Sequence, residues 1–168
     1  PTKNPFQETI GGEQDAFVTK LNPSGNALVY STYLGGSLPD TGNGIVVGGS
    51  EHCYITGSTY SNDFPTENPF QGTIGGAWDA FVTKMNGTGG ALVYSTYLGG
   101  NKDDKARAIT VDNLGNCYVT GYTDSDNFPT ENPFQGTIGG EWDAFVTKMN
   151  GTGDALVYST YLGGSKDD

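Results

Sequence analysis

The stretch "DAFVTKMNGTG" stands at residues 79–89 and recurs unchanged at 143–153, with a near copy, "DAFVTKLNPSG", at 15–25. The copying extends outward from it. Residues 64–104 and 128–168 align without a gap and agree at 38 of 41 positions, differing only at Ala77/Glu141, Gly90/Asp154 and Asn101/Ser165. Residues 1–40 match 65–104 at 29 of 40 positions, whereas 41–63 and 105–127 share only 8 of 23. The unit is therefore 64 residues long, with one part nearly copied and one part drifted. Self-similarity at a fixed period marks stacked supersecondary units.

Each unit reads as four strands. "GIVVGGS" (44–50) and "ARAITVD" (106–112) are first strands, and "CYITGST" and "CYVTGYT" are second strands. "DAFVTKMN" is the third and "ALVYSTYL" the fourth. The first pair turns at "GSEH" or "NLGN" and the second at "NGTG", where Asn-Gly suits a tight hairpin. The link "DFPTENPFQGTIGG" is too long and too broken by Pro and Gly to be a strand. In the third strand Ala80, Val82 and Lys84 alternate with Phe81, Thr83 and Met85, and in the fourth Ala91, Val93, Ser95 and Tyr97 alternate with Leu92, Tyr94, Thr96 and Leu98. Both faces carry apolar or aromatic groups, so both need cover. A four-stranded sheet lying between two neighbours fits an all-β propeller blade. A parallel β-helix is the runner-up, but its rungs are normally much shorter. On this reading residues 1–40 are a half-blade of third and fourth strands, and 41–104 and 105–168 are full blades of one propeller or array.

The blocks "DAFVTKLNPSGNALVYSTYLGG", "AITVDNLGNCYVTGYT" and "FPT" together resemble the SBBP repeat of bacterial and archaeal seven-bladed β-propeller proteins. The resemblance covers essentially the whole chain. It implies a propeller of a secreted or cell-surface protein, and it brings no catalytic signature with it. The segment "SLPDTGNGIVVGGS" at 37–50 departs from the pattern, which predicts an irregular first strand there.

Composition bounds the partners. The formal net charge is −11, and the eight Lys and Arg form no run, which argues against nucleic acid. No apolar stretch reaches the roughly 18–20 residues that span a bilayer. The chain opens at Pro1 in mid-motif, so it reads as a segment of something longer or a processed product, with any export signal lying upstream.

Each candidate site has a plainer reading beside the functional one. No catalytic residue is expected: the one histidine, His52, sits in a turn with no counterpart in the other copy, and no nucleophile-elbow or paired-His motif is present. Asp103, Asp104, Asp124 and Asp126 offer oxygen donors of the calcium type, but none completes a known loop, and a solvated acidic loop is preferred. No metal and no cofactor is expected. Trp78 and Trp142 follow Gly-Gly and could stack on a sugar ring, with structural packing the competing reading and Gln14 replacing them in the first copy. Asn86 and Asn150 head N-x-T sequons at the hairpin turns. Cys53 and Cys117 occupy equivalent points of successive blades, which predicts buried free thiols.

The function expected is a non-catalytic secreted or surface scaffold for protein or glycan interaction, or for spacing. The alternative is a self-assembling extracellular structural protein in which chains complete one another's blades into rings or fibres. A carbohydrate-active enzyme is disfavoured. Partners are further blades or further copies, with a glycan or surface protein in addition.

Overall fold

A computed structural model describes residues 1–168. Ten strands and one 3-10 turn make three antiparallel sheets stacked in chain order. The first sheet has two strands, β1 (Ala16–Leu21) and β2 (Leu28–Leu34). The second has four: β3 (Asp40–Val47), β4 (Cys53–Thr59), β5 (Asp79–Met85) and β6 (Leu92–Leu98). The third repeats it with β7 (Asp104–Val111), β8 (Cys117–Thr123), β9 (Asp143–Met149) and β10 (Leu156–Leu162). Neighbours in sequence are neighbours in the sheet, so every connection within a blade is a simple return.

The drifted first strands fold alike. In β3 the register shifts between Gly42 and Gly44, and in β7 between Ala106 and Ala108, so both blades carry the same bulge. The irregularity expected at 37–50 is thus a bulge common to both blades. Only the turn that follows differs, a 3-10 turn at Gly49–Glu51 against the Asp112–Asn116 turn of the next blade.

The hairpin turn also departs from expectation. It is not a two-residue Asn-Gly turn. Asn86 donates its N–H to the Ala91 carbonyl, Gly89 donates to the Asn86 carbonyl, and positive φ falls on Gly89 (75°) rather than Gly87. The same geometry recurs at Asn22–Gly25 and Asn150–Gly153.

The connection before each third strand hugs the outer edge of its own sheet. Glu67 and Ser95 exchange backbone hydrogen bonds, Tyr97 donates to the Gln71 carbonyl, and Gln71 donates to the Thr96 hydroxyl at 2.8 Å. Lys3 with Ser31 and Glu131 with Ser159 repeat the pairing. Asn4, Asn68 and Asn132 take positive φ (44–46°) to bend this segment into line, a conformation asparagine tolerates better than most residues. The outer edge of every sheet is covered, which removes a template for stray strand pairing.

Candidate functional site

The chemistry of this chain is concentrated where one sheet meets the next. Each blade has a face built from Ala, Val, Tyr and Leu, and an opposite face built from Cys, Ile or Val, Phe and Met. Ala16, Val18, Tyr30 and Leu34 of the first sheet pack on Cys53, Ile55, Phe81 and Met85 of the second. Ala80, Val82, Tyr94 and Leu98 then pack on Cys117, Val119, Phe145 and Met149 of the third. The two interfaces are copies.

Their details repeat too. The Tyr30 hydroxyl lies 3.4 Å from the Cys53 sulfur, and Tyr94 donates to the Cys117 sulfur at 3.5 Å. Gly89 rests on the Tyr30 ring and Gly153 on the Tyr94 ring, so close that a Cβ at either glycine would collide with it. Burial pushes Tyr94 and Tyr30 well above the usual phenol range, and it raises both thiols. Both cysteines are free and buried, on matching faces of successive sheets. Lys84 lies 5.1 Å from the Tyr54 ring centre and donates to the Gly151 carbonyl, so a basic head rides on the aromatic seam.

Within each complete blade a phenylalanine from the outgoing link seals the Phe face. Phe64 stands 4.5 Å from Phe81 and 6.0 Å from Tyr97, and Phe128 stands 4.5 Å from Phe145 and 6.1 Å from Tyr161. The Tyr97 hydroxyl donates to the Ser61 carbonyl at 2.8 Å and accepts from the Phe64 N–H at 3.1 Å.

The two ends of the stack are uncovered. Phe17, the counterpart of fully buried Phe81 and Phe145, is 73% exposed. Beside it lies a hollow of about 370 Å³ whose walls include Pro1, Thr19, Leu28 and Tyr33. At the other end Val146 and Tyr158 are half-buried and Leu162 is exposed, although the matching Val82, Tyr94 and Leu98 are wholly covered. The Tyr118 and Tyr158 rings keep the edge-on geometry of Tyr54 and Tyr94, at 6.5 Å against 6.3 Å, so the free end has the form of the buried one.

A second repeated device ties loop to sheet. The Asp79 carboxylate accepts the N–H groups of Gly75 and Gly76 and the Gln71 amide, at 2.9–3.0 Å. Gln71 in turn accepts the Gly99 N–H at 3.0 Å. Gly99 lies between Asp79 and Asp104, with no room for a Cβ. Asp104 accepts the Gly100 N–H at 2.7 Å and the Ser125 hydroxyl at 2.9 Å, while its Oδ1 has no partner. Burial, with the Asp79 charge adding to it, pushes Asp104 up to about 7. Asp15 with Asp40 repeats the arrangement. The signal was in the sequence, since Gln and Asp sit eight apart in all three copies, but the partners are backbone N–H groups and leave no residue type to recognise.

Asp103 pairs with Lys105 at 3.2 Å, and its N–H donates to Asp124, while Asp104 is buried in the loop tie and Asp126 is exposed. No group of three or more His, Cys, Asp or Glu side chains converges. Trp78 is half-buried with Tyr60 at 5.3 Å and the Lys105 ammonium also at 5.3 Å. Trp142 meets Tyr122 at 5.2 Å, and the Arg107 guanidinium lies 5.0 Å from that tyrosine. Each Trp thus already has a ring and a nearby cation within its own rim. Asn86 and Asn150 sit at hairpin tips, where the Asn150 amide donates to Asp154 at 2.8 Å. His52 Nδ1 lies 3.2 Å from the Gly49 carbonyl.

No helix is long and apolar enough to cross a membrane. No curated protein matches the chain. The model of the SBBP beta-propeller repeat matches residues 29–65 and again 93–129. Each match runs from the fourth strand of one sheet through the first two strands of the next, and so spans the copied interfaces. Four-stranded antiparallel blades at a 64-residue period, together with those two matches, make this chain an SBBP beta-propeller repeat protein.

Proposed function

We propose that the chain is a non-catalytic, exported or surface-exposed scaffold that works by stacking blade on blade with further units of the same repeat. One observation carries this reading. The face left open at Tyr158 and Leu162 has the side chains of the face that Tyr94 and Leu98 bury against the third sheet. Its complement, a Phe face, is open at Phe17. Two different surfaces that fit each other make a head-to-tail contact, which closes into a ring or runs on as a filament according to the rotation per step. Exposed apolar faces of this kind mark association sites. The rims, with their Trp–Tyr pairs and hairpin tips, are then the surfaces offered to a protein or glycan.

Light scattering across a concentration series tests the stacking. Mass rising above the 17.7 kDa chain is expected. A monodisperse monomer at every concentration would remove self-association and leave only a scaffold whose partners are other molecules. A glycan array on the same material tests the rim.

A further inference from the structure

We propose that the β5–β6 hairpin tip is a self-modification site, at which the Asn86 side-chain amide is lost to attack by the Gly87 main-chain nitrogen, while the equivalent tip at Asn150 is protected. The reaction needs a carboxamide beside a main-chain N–H that no side chain hinders, which is why the residue that follows is best a glycine. The Gly87 nitrogen bonds to Asn86 Cγ, the Cγ–Nδ2 bond breaks, and ammonia leaves with the Gly87 proton. Water then opens the cyclic imide at either carbonyl, leaving aspartate or its β-linked isomer at position 86. Nothing is oxidised or reduced, and water is the one co-reactant.

Asn-Gly stands at 43–44, 86–87 and 150–151. The three amides are held differently. Asn86 Oδ1 accepts the Thr88 hydroxyl at 2.9 Å and the Gly90 N–H at 3.2 Å, and its nitrogen donates to no protein atom. Both donors draw electrons from Cγ and face the oxygen on which charge builds during the attack. The Gly87 N–H, the nucleophile, makes no hydrogen bond either. Carbonyl oxygen held, leaving group free and nucleophile free is the arrangement the reaction asks for.

One substitution undoes it at the other tip. Where the second sheet has Gly90, the third has Asp154. The Thr152 hydroxyl turns away from the amide oxygen and donates to Asp154 at 2.7 Å, and the Asn150 nitrogen donates to the same carboxylate at 2.8 Å. Those two bonds, the Thr152 one first, hold Asp154 below the usual carboxylate range, so its charge stands beside the carbonyl that must become an oxyanion. Asn43 is tied in another way, since its nitrogen donates to the Ala106 carbonyl of the next blade at 2.8 Å and Gly44 lies in the β3 ladder. In the first hairpin the nucleophile is absent, because Pro23 follows Asn22 and has no N–H.

The product reaches the blade interface. The β-linked isomer adds a carbon to the main chain at a tip with no slack. Gly87 lies against the Ser50–Glu51 turn, and Gly89 rests on the Tyr30 ring of the preceding sheet. A longer main chain at 86 lifts Gly89 from Tyr30 or drives Gly87 into Glu51, and the contact between the first two sheets loosens.

The test holds the folded chain, made in a host that adds no glycan, in mildly alkaline buffer and follows each asparagine by peptide mass spectrometry. Asn86 should convert roughly tenfold faster than Asn150, and faster than Asn43. In denaturant the two tips should converge, because residues 84–89 and 148–153 are identical. Asp154→Gly should raise Asn150 to the rate of Asn86, and Thr88→Val should slow Asn86 several-fold without touching Asn150. The β-linked fraction should unfold at lower urea than Asn86→Asp, which keeps both bonds to the amide oxygen and adds no carbon. Equal rates at 86 and 150 in the folded chain would overturn the proposal, as would a difference that survives denaturant unchanged. A β-linked fraction as stable as Asn86→Asp would overturn its reach to the interface.

Discussion

Tyr94 of the second sheet places its hydroxyl 3.5 Å from the sulfur of Cys117 in the third, and its ring beneath Gly153 at the tip of the β9–β10 hairpin. One side chain thus touches both the inner and the outer half of the next blade. Gly153 has φ of 76°, and so cannot accept a side chain cheaply on two counts. Gly25 has nearly the same φ, 69°, but nothing within 4 Å of its Cβ direction. Gly25→Ala should therefore cost about 1 kcal/mol for backbone strain alone. Gly153→Ala should cost about 2–4 kcal/mol, because overpacking adds to the strain. Urea unfolding of the two variants measures the difference, and equal losses would show that the Tyr94 contact carries no weight.

The three equivalent phenylalanines should respond unequally. Phe81→Ala empties a fully buried position and should cost about 3–5 kcal/mol. Phe17→Ala should change the stability of a dilute, unassociated chain by no more than about 0.5 kcal/mol. The same variant should lower the apparent mass at high concentration, because it removes an apolar group from the open face. Unchanged association would place the contact elsewhere.

The loop tie gives a pH dependence of definite sign. Burial raises Asp104 from the ordinary carboxylate range to about 7, and it raises Asp79 and Asp40 in the same direction. A carboxyl whose folded pKa lies above its unfolded one contributes stability that is complete below the unfolded value. That contribution is lost as pH climbs through the folded value. Asp104→Asn removes the titration while keeping one acceptor. The stability of the variant relative to the parent should rise steadily between about pH 4 and pH 7. Chemical denaturation at several pH values reads the gap, and a gap that narrows with pH would show that the charged form is the one the fold prefers.

Cys53 and Cys117 are buried, with burial raising both thiols above their ordinary range. A thiol reagent should react with two groups per chain in denaturant without prior reduction. In the folded protein the reaction should be slow and limited by unfolding, since the reactive thiolate is scarce and hidden. Fast reaction of the native protein would contradict the packed interfaces.

The two sequons differ by one substitution. Asn150 donates its side-chain amide to Asp154, whereas Gly90 stands in that place beside Asn86 and leaves the Asn86 nitrogen without that acceptor. The amide nitrogen is the atom a glycan would occupy. In a host that glycosylates exported proteins, peptide mass spectrometry should find Asn86 carrying more glycan than Asn150. Asp154→Gly should bring the second site level.

The strand order and the two-faced packing were legible because period and alternation are sequence properties. Ala80, Val82, Tyr94 and Leu98 announce a face that the next blade covers, as it does in the first two sheets. The link at 65–71 was not legible as an edge cover. Its two prolines and the asparagine that recurs in all three copies spell a loop locally, and only the backbone exchange between Glu67 and Ser95 makes it part of the sheet. The regular form of β3 was hidden for the opposite reason. Its glycines read as disorder of the pattern, yet the strand needs only Ile45 and Val47 in register and a bulge that β7 also has. Asp79 and Asp104 were invisible as a pair, because the groups they bind are main-chain donors brought together by folding.

The covered outer edge has a consequence for how such a gene changes length. Each 64-residue unit brings with it the segment that seals its own rim, the glutamine and aspartate that fasten that segment, and both halves of the contact to its neighbours. Unequal crossing-over that adds or removes one unit therefore leaves every surviving rim sealed and every surviving contact matched. The near-identity of 64–104 and 128–168 has the form such an event leaves behind. Copy number becomes a quantity that can drift between generations without any intermediate that must misfold.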